Sequence, residues 1–158
     1  MSVRIIAAVA FVAVTFLFSQ MAFSMPRGKT ITGPVIAQEL LTRDAHFYDQ
    51  YRRYIIDEQE ISSLSRIDES YEFVVLFGTW CHDSVREVPR LIKLFERGNK
   101  KLQLIGVNTN KEADEKYHLR FTPTLIVYQH GHEIGRIVEK PNQTWTVDIL
   151  DVISQREN

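Results

Sequence analysis

The chain has 158 residues, 44% of them apolar and 25% charged, with 19 basic and 20 acidic side chains and a formal net charge of −1. That length suits about one domain, and the composition is that of a globular protein rather than a disordered, collagen-like, coiled-coil or repeat chain. Near-neutral charge gives no electrostatic reason to expect nucleic acid or an anionic membrane surface as a partner.

The first 24 residues differ in kind from the rest. Arg4 is their only charge, residues 5–18 are apolar except for Thr15, and Ser19-Gln20 precedes Ala22-Phe23-Ser24. A positive start, a short apolar core and small residues where a signal peptidase reads predict a signal peptide over 1–24. The run falls short of the ~20 residues that span a bilayer, although Met21 and Phe23 extend it. A retained membrane anchor is therefore the alternative. Residues 25–34, polar with two glycines and two prolines, read as a linker.

From 35 to 56, aromatic and aliphatic residues at helical spacing (Phe47, Tyr51, Tyr54, Ile55) predict an amphipathic helix ending in a short strand near 54–56. This makes 35–53 an N-terminal helical extension to a domain over 54–158. Asp57 suits the cap of a helix through Glu60, Ile61 and Leu64. Phe73-Val74-Val75-Leu76-Phe77 is a continuous β-rich run, as expected of a strand buried on both faces. A helix over 84–97 follows, with Val85, Val88, Leu91, Ile92 and Phe95 on one stripe, and Gly98-Asn99 stops it. A second buried strand over 102–107 and a short helix over 111–118 come next. Strands over 124–128 and 134–138 are joined by a hairpin at 129–133. Thr144 caps a last helix carrying Trp145, Ile149, Val152 and Ile153 on one face. Buried strands linked by helices imply parallel pairing, and the hairpin implies an antiparallel edge. The predicted fold is α/β, a mixed sheet with helices on both faces.

One cysteine cannot form an internal disulfide, so in an exported domain Cys81 is buried and inert, paired with another molecule, or kept for chemistry. It stands between a strand and a helix. Helix-start N–H groups and the positive end of the helix dipole favour a thiolate there, the nucleophile of disulfide exchange. A protonated His82 would add to this, Arg86 is near enough to reach the site, and Asp83 would oppose it. Asp83 and Ser84 equally suit the capping of any helix, and His82 equally suits an exposed first turn. His130 and His132 flank Gly131 with no third ligand apparent, so no metal is expected. Asn142-Gln143-Thr144 fits a glycosylation acceptor.

Taken together, Trp80-Cys81-His82-Asp83-Ser84 after a buried strand, Pro89 five residues on, Thr122-Pro123-Thr124 before a strand and Gly131 in a hairpin resemble the thioredoxin-like superfamily. Arg86-Glu87-Val88-Pro89-Arg90 adds similarity to an exported bacterial branch with a Cys-x-x-Ser site. The resemblance implies a thioredoxin-like fold, a periplasmic location and a cis bond before Pro123, opposite Cys81. It also implies that Thr122 offers its backbone to an extended substrate and that Trp80 forms an apolar shelf. Two positions depart from the family. Ser84 replaces the second cysteine, which excludes internal resolution of a mixed disulfide. Val75 stands where dithiol members often carry a buried acid that serves that second cysteine.

The expected function is monothiol exchange. Cys81 attacks a disulfide or oxidised thiol on an exported protein, Ser84 steadies the thiolate, His82 and Asp83 tune it, and Trp80, Thr122 and Pro123 seat the substrate. A small thiol or a partner reductase completes the cycle, with no cofactor. The alternative is a binding or chaperone-like module that uses the same groove without turnover.

Overall fold

The computed structural model describes residues 30–109 and 114–157; the 1–24 segment and the first part of the 25–34 linker lie outside the described residues. In chain order the elements are β1 (Gly33–Val35), α1 (Ala37–Arg43), α2 (Ala45–Arg53), α3 (Glu58–Ser65), β2 (Tyr71–Phe77), α4 (His82–Arg97), β3 (Gln103–Gly106), α5 (Asp114–Tyr117), β4 (Thr124–Gln129), β5 (His132–Val138) and α6 (Trp145–Glu157). The strands form one mixed sheet in the order β1-β3-β2-β4-β5. β2 runs parallel to β3, and the other three pairings are antiparallel. The expected α/β fold is therefore present, with a strand at 33–35 that the sequence did not suggest.

That extra strand is β1. Gly33 and Pro34 read as linker because they break any side-chain pattern, and Val35 as the start of the helical extension. The pairing rests on backbone fit instead. Gly33, Pro34 and Val35 lie opposite Gly106, Ile105 and Leu104. A Cβ on Gly106 would stand 2.3 Å from the Ile31 carbonyl oxygen, so only glycine admits this approach. An edge strand also tolerates Pro34, which has no N–H to give.

Alternation along β2 sorts the two faces of the sheet. Phe73, Val75 and Phe77 enter the main core, to which α1, α2, α3, α4 and α6 all contribute. Val74 and Leu76 face a smaller cluster with Val107, Leu119 and Ile126, flanked by Tyr117 of α5. Helical cover is thus uneven: among the described residues, the helical part of the second cluster is the four-residue α5, joined by irregular chain at Val107 and Leu119. Of the helix expected over 111–118, residues 114–117 form α5 and 110–113 lie outside the described residues.

Where one helix was expected over 35–56, there are two, and no strand follows them. Asp44 divides them by ending α1 and capping α2, its carboxylate accepting the His46 N–H at 2.9 Å. Leu40 of α1 and Phe47 of α2 are fully buried in the same core as β2 and α4. Residues 35–53 are therefore part of the domain's core rather than an appendage to it. The C-terminal carbonyls of α2 are closed by a cation from α4: Lys93 Nζ donates to Tyr51 O at 2.9 Å and to Tyr54 O at 2.6 Å. Asp57 caps α3 as expected, through Gln59 N at 2.7 Å. Thr144 caps α6 through Val147 N at 3.3 Å. The β4–β5 hairpin is tighter than the five residues expected, turning on His130 and Gly131 alone, both at positive φ.

A second tie between α2 and α4 gives a pH-dependent readout. Tyr51 Oη donates to Glu96 at 2.6 Å. This bond to a carboxylate, with burial and the Glu96 charge, pushes the phenol up to about 12. A phenol raised in the folded state contributes stability that is complete below its unfolded value near 10 and is lost as pH rises toward 12. Ultraviolet titration should find a phenol ionising near 12 that moves down in Glu96→Gln, and an unmoved titration would remove Glu96 as the cause.

Candidate functional site

The end of β2 delivers the chain into a tight turn, where Cys81 N donates to Gly78 O at 3.0 Å. Gly78 is required by its neighbour: a Cβ there would stand 2.5 Å from the Trp80 ring. The freed indole turns toward the next strand, its Nε1 donating to Val107 O at 3.1 Å. Cys81 then takes an extended conformation as the N-cap residue of α4 and is half-buried. Its side chain does not cap the helix. The thiol donates instead to the carbonyl oxygen of Thr122, 3.1 Å away. The Thr122–Pro123 peptide is cis, and the Pro123 carbonyl accepts the Glu139 N–H at 2.7 Å.

Cys81, Trp80 and Thr122 therefore meet at one place, around an apolar depression of about 230 Å³ that Leu119 and Phe121 also line. Phe121 is 56% exposed, so an apolar ring stands in water beside a partly exposed thiol. Pro123 lies beneath, buried.

The three residues after Cys81 meet three different surroundings. Ser84 is fully buried, and its Oγ accepts the Gly78 N–H at 3.2 Å. It fastens the strand end to the first turn of α4 and does not cap the sulfur. His82 is exposed, with no hydrogen bond or ion pair among the described residues. The Asp83 carboxylate is held by Arg86 at 2.7 Å. His130 and His132 are exposed in and beside the hairpin turn, away from the thiol depression.

Sequence reasoning gave no role to Glu87, which is 3% exposed. It accepts from Arg86 Nε at 2.7 Å, from Arg90 at 3.2 Å and from Trp145 Nε1 at 3.1 Å, tying α4 to α6. The signal was available: position 87 follows Ser84 by three and precedes Leu91 by four, on the buried face of α4. Glu87→Leu should cost about 2–3 kcal/mol, because it strands two arginines and an indole N–H; water reaches both arginines and limits the loss. Glu87→Gln keeps an acceptor for Trp145 and should cost about 1 kcal/mol. Urea unfolding of the two variants checks the order, and equal costs would refute the ionic account.

The thioredoxin family profile matches residues 35–151, which takes in α1 and α2 as well as the thiol site. A thioredoxin of Echinococcus granulosus is 33% identical over 63 residues, 39% of this chain; the match spans 59% of that protein's length. A thioredoxin of Staphylococcus aureus is 25% identical over 89 residues, covering 55% of this chain and 86% of its own. Among solved structures, a Pseudomonas aeruginosa protein of unknown function superposes with a TM-score of 0.54 at 16% identity, covering 78% of this chain and 86% of that one. An HIV epitope-scaffold gives 0.52 at 17% identity over 78% and 87%. These two likenesses concern the fold. With the family profile spanning β2, the Cys81 turn, the cis-proline loop and most of α6, the chain belongs to the thioredoxin family.

Proposed function

We propose that this chain is an exported monothiol member of its family, which exchanges disulfides through Cys81. One observation carries the reading: a partly exposed thiol at the start of α4, beside the cis Thr122–Pro123 bond, opens onto an apolar depression. The Cys81 thiolate attacks one sulfur of a substrate disulfide, forming a mixed disulfide and expelling the other sulfur as a thiolate that takes up a proton. Cys81 is the only cysteine, so no second thiol of this chain can attack the bond just formed. Release comes from the substrate's own second thiol, which gives isomerisation, or from a small thiol or partner reductase, which gives reduction. Removal of small-thiol adducts and isomerisation fit this chemistry better than net oxidation. The signal-like pattern over 1–24 supports a periplasmic location for the domain, either free or anchored. Trp80, Phe121 and Thr122 frame the seat for an extended segment of the substrate.

Trapping tests the reading. In cells blocked with an alkylating agent, non-reducing gels should show Cys81-dependent adducts with exported proteins that collapse on reduction. A chain that yields no adduct, with its thiol alkylated only after unfolding, would remove exchange from its functions.

A further inference from the structure

On the other side of Glu139 from the thiol lies a second, larger and polar cleft of about 630 Å³. It is walled by the first turns of α4, by Glu60 of α3 and by the loop that joins β5 to α6. That loop is braced, with Asp148 accepting the Asn142 and Gln143 N–H groups at 2.6 and 3.1 Å. Several charges in the wall are already committed. Glu87 is held by Arg86, Arg90 and Trp145, and Asp83 by Arg86. Arg90 also lies over the Tyr54 ring at 5.2 Å. What remains uncommitted is acidic in balance. Glu60 Oε2 is buried with no hydrogen-bond partner among the described residues. Glu139 makes no ion pair among them either, and only Lys140 opposes these two carboxylates.

Glu139 is also the residue that joins the two depressions, since it lines both. It is held there at a positive φ of 63°, unusual for a residue with a Cβ, with its N–H fixed to Pro123 O. A strained backbone thus sets an acidic residue on the ridge between the sulfur and the cleft.

We infer that the cleft is a subsite for a cationic side chain, a lysine or arginine of the substrate protein close in sequence to the cysteine that Cys81 attacks, with Glu139 and Glu60 as its recognition residues. This rests on the exchange reading for the identity of the substrate. At about 3.3 Å per residue of extended chain, a side chain two to four residues from the reacting sulfur spans the ridge. A cation there also gives the buried Glu60 oxygen a partner.

The test uses peptides whose single cysteine is linked by a disulfide to a chromophoric thiol, which is released when Cys81 attacks. A lysine is moved through the four positions on either side of the cysteine, and norleucine replaces it in the controls. A free small thiol as attacker measures the lysine's intrinsic effect on the disulfide. After that correction, at low salt, at least one lysine position should react roughly threefold to tenfold faster than its norleucine control. The advantage should fall as salt rises and shrink toward one in Glu139→Gln and in Glu60→Gln. A corrected ratio of one at every position, or a ratio that neither substitution moves, overturns the subsite. If no peptide releases its chromophore, the exchange reading fails, and the subsite is judged by binding alone. Cysteine-free lysine and norleucine peptides are then titrated into the wild-type protein by NMR. Shifts around Glu139 and Glu60 with the lysine peptide alone uphold the site, and equal or absent shifts overturn it.

Discussion

Ser84→Cys is expected to convert a reaction that stops after one thiol release into one that runs on to a second. With a chromophoric disulfide and no added thiol, the unaltered chain should release one thiol per Cys81 and stall as the mixed disulfide. The variant should release the first thiol and then, by attack of the introduced sulfur on the mixed disulfide, the second. Positions 81 and 84 sit three apart at the start of α4, about 5–6 Å between backbones, which lies within disulfide range. The exchange has a cost. Ser84 is fully buried and accepts the Gly78 N–H, and sulfur accepts poorly, so the variant should lose about 1 kcal/mol of stability. Cys81→Ser sets the other limit. A hydroxyl does not ionise near neutral pH, so the first release should fall at least about 10³-fold, below detection. Multiple turnovers by the unaltered chain without a second thiol would contradict the monothiol scheme. Full function of Cys81→Ser in cells would transfer the weight to the binding-module alternative, with Trp80 and exposed Phe121 as its surface.

The parts of this structure that were legible in the sequence are those written in side chains. β2 showed as a five-residue apolar run, the stripe of α4 as a helical period, and the caps of α3 and α6 as Asp57 and Thr144. The thiol site showed as a strand leading into Trp80-Cys81, with a Thr-Pro-Thr elsewhere that the fold brings beside it. What stayed hidden is written in backbone and in charge. β1 is specified by the close approach of Gly106 to Ile31 O, which leaves no hydrophobic pattern to read. The Asp44 break was an N-cap signal outweighed by the period around it. Ser84 looked like a residue of the thiol site because of its spacing from Cys81, but the first turn of a helix has an inner side, and Ser84 is on it. Glu139 gave no signal at all. Its importance comes from a positive φ and from the ridge it occupies, and both are properties of the folded chain.

Phe47→Ala should cost about 3–5 kcal/mol, the largest single effect on stability expected from the N-terminal helices. Phe47 is fully buried, with its ring 5.8 Å from that of Phe77 and tilted 58° to it, so α2 is packed directly on the strand that ends at the Cys81 turn. Removing the ring leaves a cavity between α2 and β2, with little to fill it because Leu40 and Phe95 are already close-packed in the same core. The loss should appear as a lower urea midpoint with a single transition, recorded alike by helical circular dichroism and by tryptophan fluorescence. Trp145 lies in that core on α6 and Trp80 beside the thiol, both outside α1 and α2, so agreement between the two probes means that α1 and α2 unfold with the sheet. An appendage would behave differently: helical signal would be lost early and the tryptophan transition would stay in place. Ile55→Ser is the matched control, because Ile55 is 89% exposed in the same stretch and its loss should move the midpoint by less than about 0.5 kcal/mol. The variant also bears on chemistry. Phe77 immediately precedes Gly78, whose N–H is tied to Ser84, and a loosened Phe77 should relax the turn that presents Cys81. Phe47→Ala should therefore slow the first thiol release as well as lower the midpoint, whereas a variant destabilised far from β2 should do only the latter.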